Sequence, residues 1–158
     1  MKFKFSKKIL SFIVVVLFLS GLGFFLSSYN HSTKKIEENN IKYVKIAGEK
    51  LKVDLALTLV EQEQGLSGRK ILAPDEGMLF VFSKPSVNYF WMKDMNFPID
   101  MIWLDENLKV IYLKKEAQPE SYPETFGPGV DNSYVLEVSA GFSEKNNLKE
   151  GDSIEFLY

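Results

Sequence analysis

The chain of 158 residues has no cysteine, one histidine and one arginine. Without cysteine there is no thiol nucleophile, no disulfide and no thiolate-held zinc or iron–sulfur centre. With His31 alone, two-histidine metal sites and a Ser-His-Asp relay are excluded. A phosphate-cradling loop is missing too: Gly127-Pro128-Gly129 and Gly65-x-x-Gly68 match neither the Walker nor the dinucleotide spacing. There is no internal repeat, and no long amphipathic helical pattern follows residue 26. Any catalysis is left to carboxylates, Lys, Tyr, Ser/Thr or Arg69, and no cofactor is expected.

What is present is ordinary globular material, 46% apolar and 25% charged, with aromatics at 14%. Charge is uneven. The first thirty residues carry Lys2, Lys4, Lys7 and Lys8 and no acid, while the rest holds 15 Lys and Arg against 21 Asp and Glu, a net of −6. An acidic body lacks the basic face of a nucleic-acid binder, so no nucleic-acid partner is expected.

Ile9 to Leu26 form eighteen consecutive uncharged, mostly apolar residues. As a helix this run covers about 27 Å, near the hydrocarbon thickness of a bilayer. The lysines before it place the amino end in the cytoplasm. The expectation is a basic segment over 1–8, an uncleaved signal anchor over 9–26 and a body outside the cytoplasm. The alternative is a secreted body released at Gly21-Leu22-Gly23, a site that lies inside the apolar run. A lipid anchor is excluded with the missing cysteine. Residues 27–43 read as a polar tether, roughly 20–25 Å across as a flexible coil. His31 sits in it and reads as a solvated linker residue.

The folded part begins near Tyr43 and occupies 44–158. Val53, Leu55, Leu57 and Leu59 alternate with Asp54, Ala56 and Thr58 at strand period. Met78–Phe82, Val87–Met92, Ile99–Leu104, Val110–Leu113, Tyr134–Val138 and Ile154–Leu157 read as further strands, with a hairpin turn at Asp105-Glu106-Asn107. Glu61–Gly65 and Phe142–Leu148 read as short helical segments, the first stopped by Gly65. The fold class is mainly β: one small sandwich- or barrel-like domain, jelly-roll-like, with one or two short helices. Lys114–Asn132 lacks periodicity and holds three prolines, so it reads as a long loop, either a binding lid or a crossover.

Four strings together resemble one family. They are Glu61-Gln-Glu-Gln-Gly-Leu-Ser-Gly-Arg69, Gly77-Met-Leu-Phe-Val-Phe82, Phe90-Trp-Met-Lys-Asp-Met-Asn-Phe-Pro-Ile-Asp100, and Tyr134-Val-Leu-Glu-Val-Ser-Ala-Gly141 with Gly151-Asp152. The chain from about Leu51 to Tyr158 is similar to the domain-of-unknown-function 192 family, an uncharacterised and often exported bacterial and archaeal group. The departures are Gln62 where the family often has Arg, Ser67 where it often has Met, and Met95 where it often has Thr. The resemblance implies a mainly β, sandwich-like fold and brings no activity with it.

Within these strings five residues are candidates for a ligand site: Arg69, Trp91, Lys93, Asp100 and Glu137. Arg69 stands alone against eighteen lysines, and its planar fork can hold a carboxylate or phosphate with two hydrogen bonds. It can equally close a salt bridge to Asp75, Glu76 or Asp100. Strand alternation sends Trp91 and Lys93 to one face, where they can stack a sugar or planar ligand or pair as cation and ring. Asp100 shares a face with Ile102 and Leu104 and needs a partner, with Lys93 and Arg69 the natural ones. Glu137, between Leu136 and Val138, is most simply solvent-exposed. Asp100 and Glu137 facing one cleft would permit acid–base work on a glycan. Asp94, Asn96 and Asp100 do not match an EF-hand loop, so no metal site is expected.

Three functions follow as expectations. The first is a membrane-tethered, extracytoplasmic module binding a small, anionic or glycan-like ligand beneath the 114–132 loop. The second is an accessory or assembly protein of the envelope whose motif is structural. The third is a carboxylate-dependent hydrolase or lyase.

Overall fold

The structure, a computed structural model, describes residues 38–158. The expected basic segment, the 9–26 anchor and most of the polar tether, with His31, lie outside the described residues. No helix among the described residues is long and apolar enough to cross a membrane.

Asn39–Tyr158 forms one compact unit. Its strands are β1 (Tyr43–Ile46), β2 (Glu49–Ala56), β3 (Glu76–Ser86), β4 (Phe90–Trp91), β5 (Ile99–Leu104), β6 (Val110–Ala117), β7 (Thr125–Phe126), β8 (Asn132–Ser139) and β9 (Ile154–Leu157). Two short helices join them, α1 (Leu59–Gln64) and α2 (Phe142–Lys145), with a 3-10 turn at Pro119–Ser121. Seven strands make one sheet in the order β6-β5-β8-β3-β2-β1-β9, and β4 and β7 pair as a separate ribbon. All neighbours are antiparallel except β2 and β3. That parallel crossover carries α1.

The fold is mainly β, but a jelly roll of two facing sheets is not what forms. The sheet is single and curls until its outer strands meet: Lys109 bridges Ser153, and the Val110 and Ile154 amides donate to the Asp152 and Leu108 carbonyls. The result is a half-barrel. Its inner face is aliphatic, with Val44, Ile46, Leu79, Ile102, Leu104, Leu136 and Val138 buried together under Phe142 and Leu148. Its outer face is a second core of Phe80, Met101, Trp103 and Val135, covered by Leu66, Leu72, Met92 and Phe126 from the connecting segments and the ribbon.

Three expected elements differ. The strand alternation read through Leu57 and Leu59 stops at Ala56, because Thr58 caps α1 and Leu59 opens it. The strand read over Val87–Met92 shrinks to Phe90–Trp91, because Asn88 is tied down before it. The Trp103 indole donates to the Asn88 carbonyl at 3.0 Å, and the Asn88 amide donates to Asn132 Oδ1 at 3.2 Å. The loop read over 114–132 contains real strand. β6 runs on to Ala117, and Thr125–Phe126 pairs with β4. Register shifts in the β5–β6 pairing and a φ of +49° at Glu116 break the two-residue period there, which is why the pattern does not show in sequence.

Candidate functional site

α1 is short and begins on a capping box. The Thr58 hydroxyl accepts from the Glu61 amide at 3.2 Å, and the Glu61 carboxylate accepts from the Thr58 and Leu57 amides at 2.8 and 2.9 Å. The Gln62 amide nitrogen donates to the Val81 and Ala56 carbonyls at 3.0 and 3.3 Å, docking the helix on β2 and β3. The helix stops at Gly65, whose φ of +49° favours glycine. A side chain there would also press on the Phe80 ring at 3.3 Å, with Glu137 Oε2 at 4.0 Å. Gly65 therefore lets the chain pass low over the sheet.

Beside this passage lies a cleft of about 260 Å³. Leu59, Gln62 to Ser67 and Met95 form one wall; Asn88 to Trp91 form the other; Phe80, Phe82 and Glu137 form the floor. The aromatic rings meet edge to face, Phe80 on Phe90 at 4.7 Å and Phe82 on Phe90 at 6.5 Å between centroids. Gly127 keeps the Asn88–Tyr89 wall in place. An added Cβ there would meet Tyr89 Cδ1 at 2.7 Å and the Asn88 carbonyl at 2.9 Å.

Glu137 is 4% exposed, which corrects the expectation of a solvent-facing side chain. It sits on β8, with Met78 of β3 and Met101 of β5 directly opposite on either side. No hydrogen-bond partner reaches Oε2. Burial between the methionines pushes its pKa up to about 8, against the opposing pull of the Arg69 charge. At neutral pH the group is mostly a neutral carboxylic acid, able to donate or accept.

The other predicted residues divide. Trp91 lines the cleft and is half exposed, with the Lys93 ammonium 6.0 Å from its ring centroid and Tyr122 edge-on at 5.9 Å. No residue of 114–132 lines the cleft itself. Arg69 does not reach Asp75, Glu76 or Asp100; it pairs at 2.8 Å with Asp54 on β2, both partners partly exposed. Asp100 needs neither Lys93 nor Arg69. Its carboxylate accepts from the Glu116, Gly141 and Ser143 amides at 2.8, 3.2 and 2.7 Å. It thereby caps α2 from another strand and ties β6 to the β8–α2 corner. Register puts Asp100 opposite Val138, on the inner face, while Glu137 faces outward. The two carboxylates thus lie on opposite faces of the sheet, and the single acid–base cleft is not built. Among the described residues no group of three acidic or histidine side chains converges for a metal.

Much of the shared motif is stitching. Ser67 Oγ donates to the Lys93 carbonyl at 2.8 Å, the Gly68 amide to the Asp94 carbonyl at 2.8 Å, and Asn96 Nδ2 to the Arg69 carbonyl at 2.8 Å. The Glu61–Arg69 and Phe90–Asp100 strings are therefore bonded to one another along one side of the cleft. Residues missed in sequence are Phe80, Phe82, Asn88, Tyr89 and Gln62. Phe80, Phe82 and Gln62 stand in the motif strings, whereas Asn88 and Tyr89 lie just before the third and carry no such signal.

Solved structures similar to this chain include these two. A "putative transcription regulator" from Sinorhizobium meliloti 1021 shares 31% identity, with a TM-score of 0.67 over 72% of this chain and 90% of that one. A protein of unknown function from Novosphingobium aromaticivorans DSM 12444 shares 28% identity, with a TM-score of 0.69 over 73% of this chain and 84% of that one. No curated protein matches. The model of DUF192, described as Uncharacterized ACR, matches residues 42–156. With the sheet, the cleft and the stitched motif strings in place, the chain belongs to the DUF192 family.

Proposed function

We propose that the chain is a membrane-tethered, extracytoplasmic module that binds a small ligand in the cleft between α1 and the Asn88–Trp91 wall. One observation carries this reading: a buried carboxyl with an unpartnered oxygen forms the floor of an aromatic-walled cleft. An unsatisfied buried polar atom costs about 1–3 kcal/mol, and such groups gather where a ligand completes them. Trp91 and Tyr89 line the cleft and are about half exposed, aromatic surface suited to a sugar ring or similar ligand. The tether rests on the eighteen-residue uncharged run behind four lysines.

The accessory-protein reading has its own observation. Leu59, Val60 and Ile71 are 80, 76 and 76% exposed, apolar surface suited to a protein partner. The hydrolase reading loses its carboxylate pair. The regulator description of the S. meliloti protein finds no support in the acidic body of this chain.

The test is a melting-temperature screen of the full chain in a nonionic detergent against sugars, peptidoglycan fragments, amines, nucleotides and simple anions. A ligand at 100 times its dissociation constant adds about 2.7 kcal/mol, a clear shift. A shift abolished in Trp91→Ala with basal melting unchanged is the expected result. No shift with any class would refute the module and leave the apolar surface as the place to look.

A further inference from the structure

The ligand class can be narrowed further, granting that the cleft is a binding site. The charged residues lining it are Glu63 and Glu137; no Lys or Arg lines it. The remaining walls are mostly aromatic or aliphatic, with Phe80, Phe82, Tyr89, Phe90 and Trp91 contributing rings. Ring faces carry negative electrostatic potential and attract cations, most strongly when water is excluded. An anionic ligand would meet two acidic and five aromatic residues with no lining counter-charge. A neutral ligand could hydrogen-bond the protonated Glu137 but would draw nothing from the excess of acid in the lining. A cation answers both features, because its charge lies against rings while its proximity offsets the desolvated carboxylate.

We infer that the cleft takes an organic cation, an amine or quaternary ammonium group held against Phe90 and Trp91 with Glu137 as its counter-ion at the floor. This replaces the anionic ligand expected from Arg69, whose guanidinium is engaged by Asp54 outside the cleft. The charged groups around Glu137 are few. Glu63 comes from α1, and Arg69 follows it in the next segment. Lys93 lies against Trp91. The neighbouring strands bring Met78 and Met101 to that face, and Asp100 of β5 turns to the other.

The experiment is titration calorimetry of the full chain in nonionic detergent with choline, compared with its uncharged carbon isostere (tert-butyl in place of trimethylammonium), butyrate and N-acetylglucosamine. Choline is expected to bind at least about tenfold tighter than the isostere, the scale of one desolvated cation–ring or charge contact. Because ionised Glu137 is the binding form, choline affinity should rise with pH by up to about tenfold per unit and level off above about 8. Glu137→Gln should flatten that profile while keeping the fold, since it preserves shape. Trp91→Leu, at a half-exposed position, should weaken choline binding with melting unchanged. Equal binding of choline and the isostere, tighter binding of butyrate or the sugar, or a pH profile unaltered in Glu137→Gln would each overturn the cation assignment and leave the binding module standing. Failure of every probe here and in the wider screen would remove both.

Discussion

Glu137 makes the stability of this domain depend on pH in an unusual direction. Unfolded, its carboxyl titrates near 4.5; folded, it is pushed up to about 8 by burial. Between those values the native state holds a proton that the unfolded state has lost. Stability therefore falls as pH rises, by about 1.4 kcal/mol per unit while the difference lasts. Over the whole window the loss is roughly 5 kcal/mol at most, a large share of an ordinary domain's 5–15 kcal/mol. Glu61 and Glu144 run the other way, each held below its ordinary value, by the Thr58 and Leu57 amides and by Lys115 respectively. Their contribution is lost only as pH falls through the acid range below 4.5, so the two windows do not overlap. The assay is urea unfolding of the full chain in detergent, followed by tryptophan fluorescence, at intervals from pH 5 to 9. Glu137→Gln should match the wild type within about 1 kcal/mol at pH 5 and exceed it by several kcal/mol at pH 9. A wild-type profile flat across pH 5 to 8, or a Gln variant that runs parallel to it, would refute the buried neutral acid.

Other positions give sharper contrasts. Asp100→Ala strands three backbone amides at a corner of the fold and should cost at least about 3 kcal/mol in the same unfolding assay, with Asp100→Asn recovering little because its amide group cannot accept from all three. Arg69→Ala breaks a partly exposed pair and should cost less than about 1 kcal/mol; a larger loss would mean that the Asp54 contact anchors more than it shows. Gly65→Ala combines a φ of +49° with a 3.3 Å approach to Phe80, so melting should drop by several degrees, and ligand-induced shifts should shrink with it.

The sequence was most readable where patterning is local. Ile99–Leu104 and Ile154–Leu157 are strands with the bounds their β-branched and aromatic residues suggest, and Gly65 ends the helix it was expected to end. Glu137 was not readable. β8 lies between β3 and β5, with nearly every residue buried, so a charged residue in it looks like an alternating surface residue until both faces prove covered. Asp100 needs a partner, as its place between apolar neighbours implies, but its partners are backbone amides, which have no sequence signature. Arg69 found Asp54, fifteen residues back on β2, because the parallel crossover returns the chain alongside that strand. The cleft itself draws on four separate segments, and no single string announces it.

The seam that closes the half-barrel also bears on how this protein behaves in company. A sheet ends in strands whose free amides and carbonyls can recruit a stranger's backbone. Here residues 108–110 and 151–154 satisfy each other along part of both outer strands. Beyond the seam, β6 continues through Lys114, Lys115 and Glu116, and the register breaks there. Charge and irregularity blunt the stretch that closure does not reach. That stretch of β6 is a poor template for fibril growth or strand exchange.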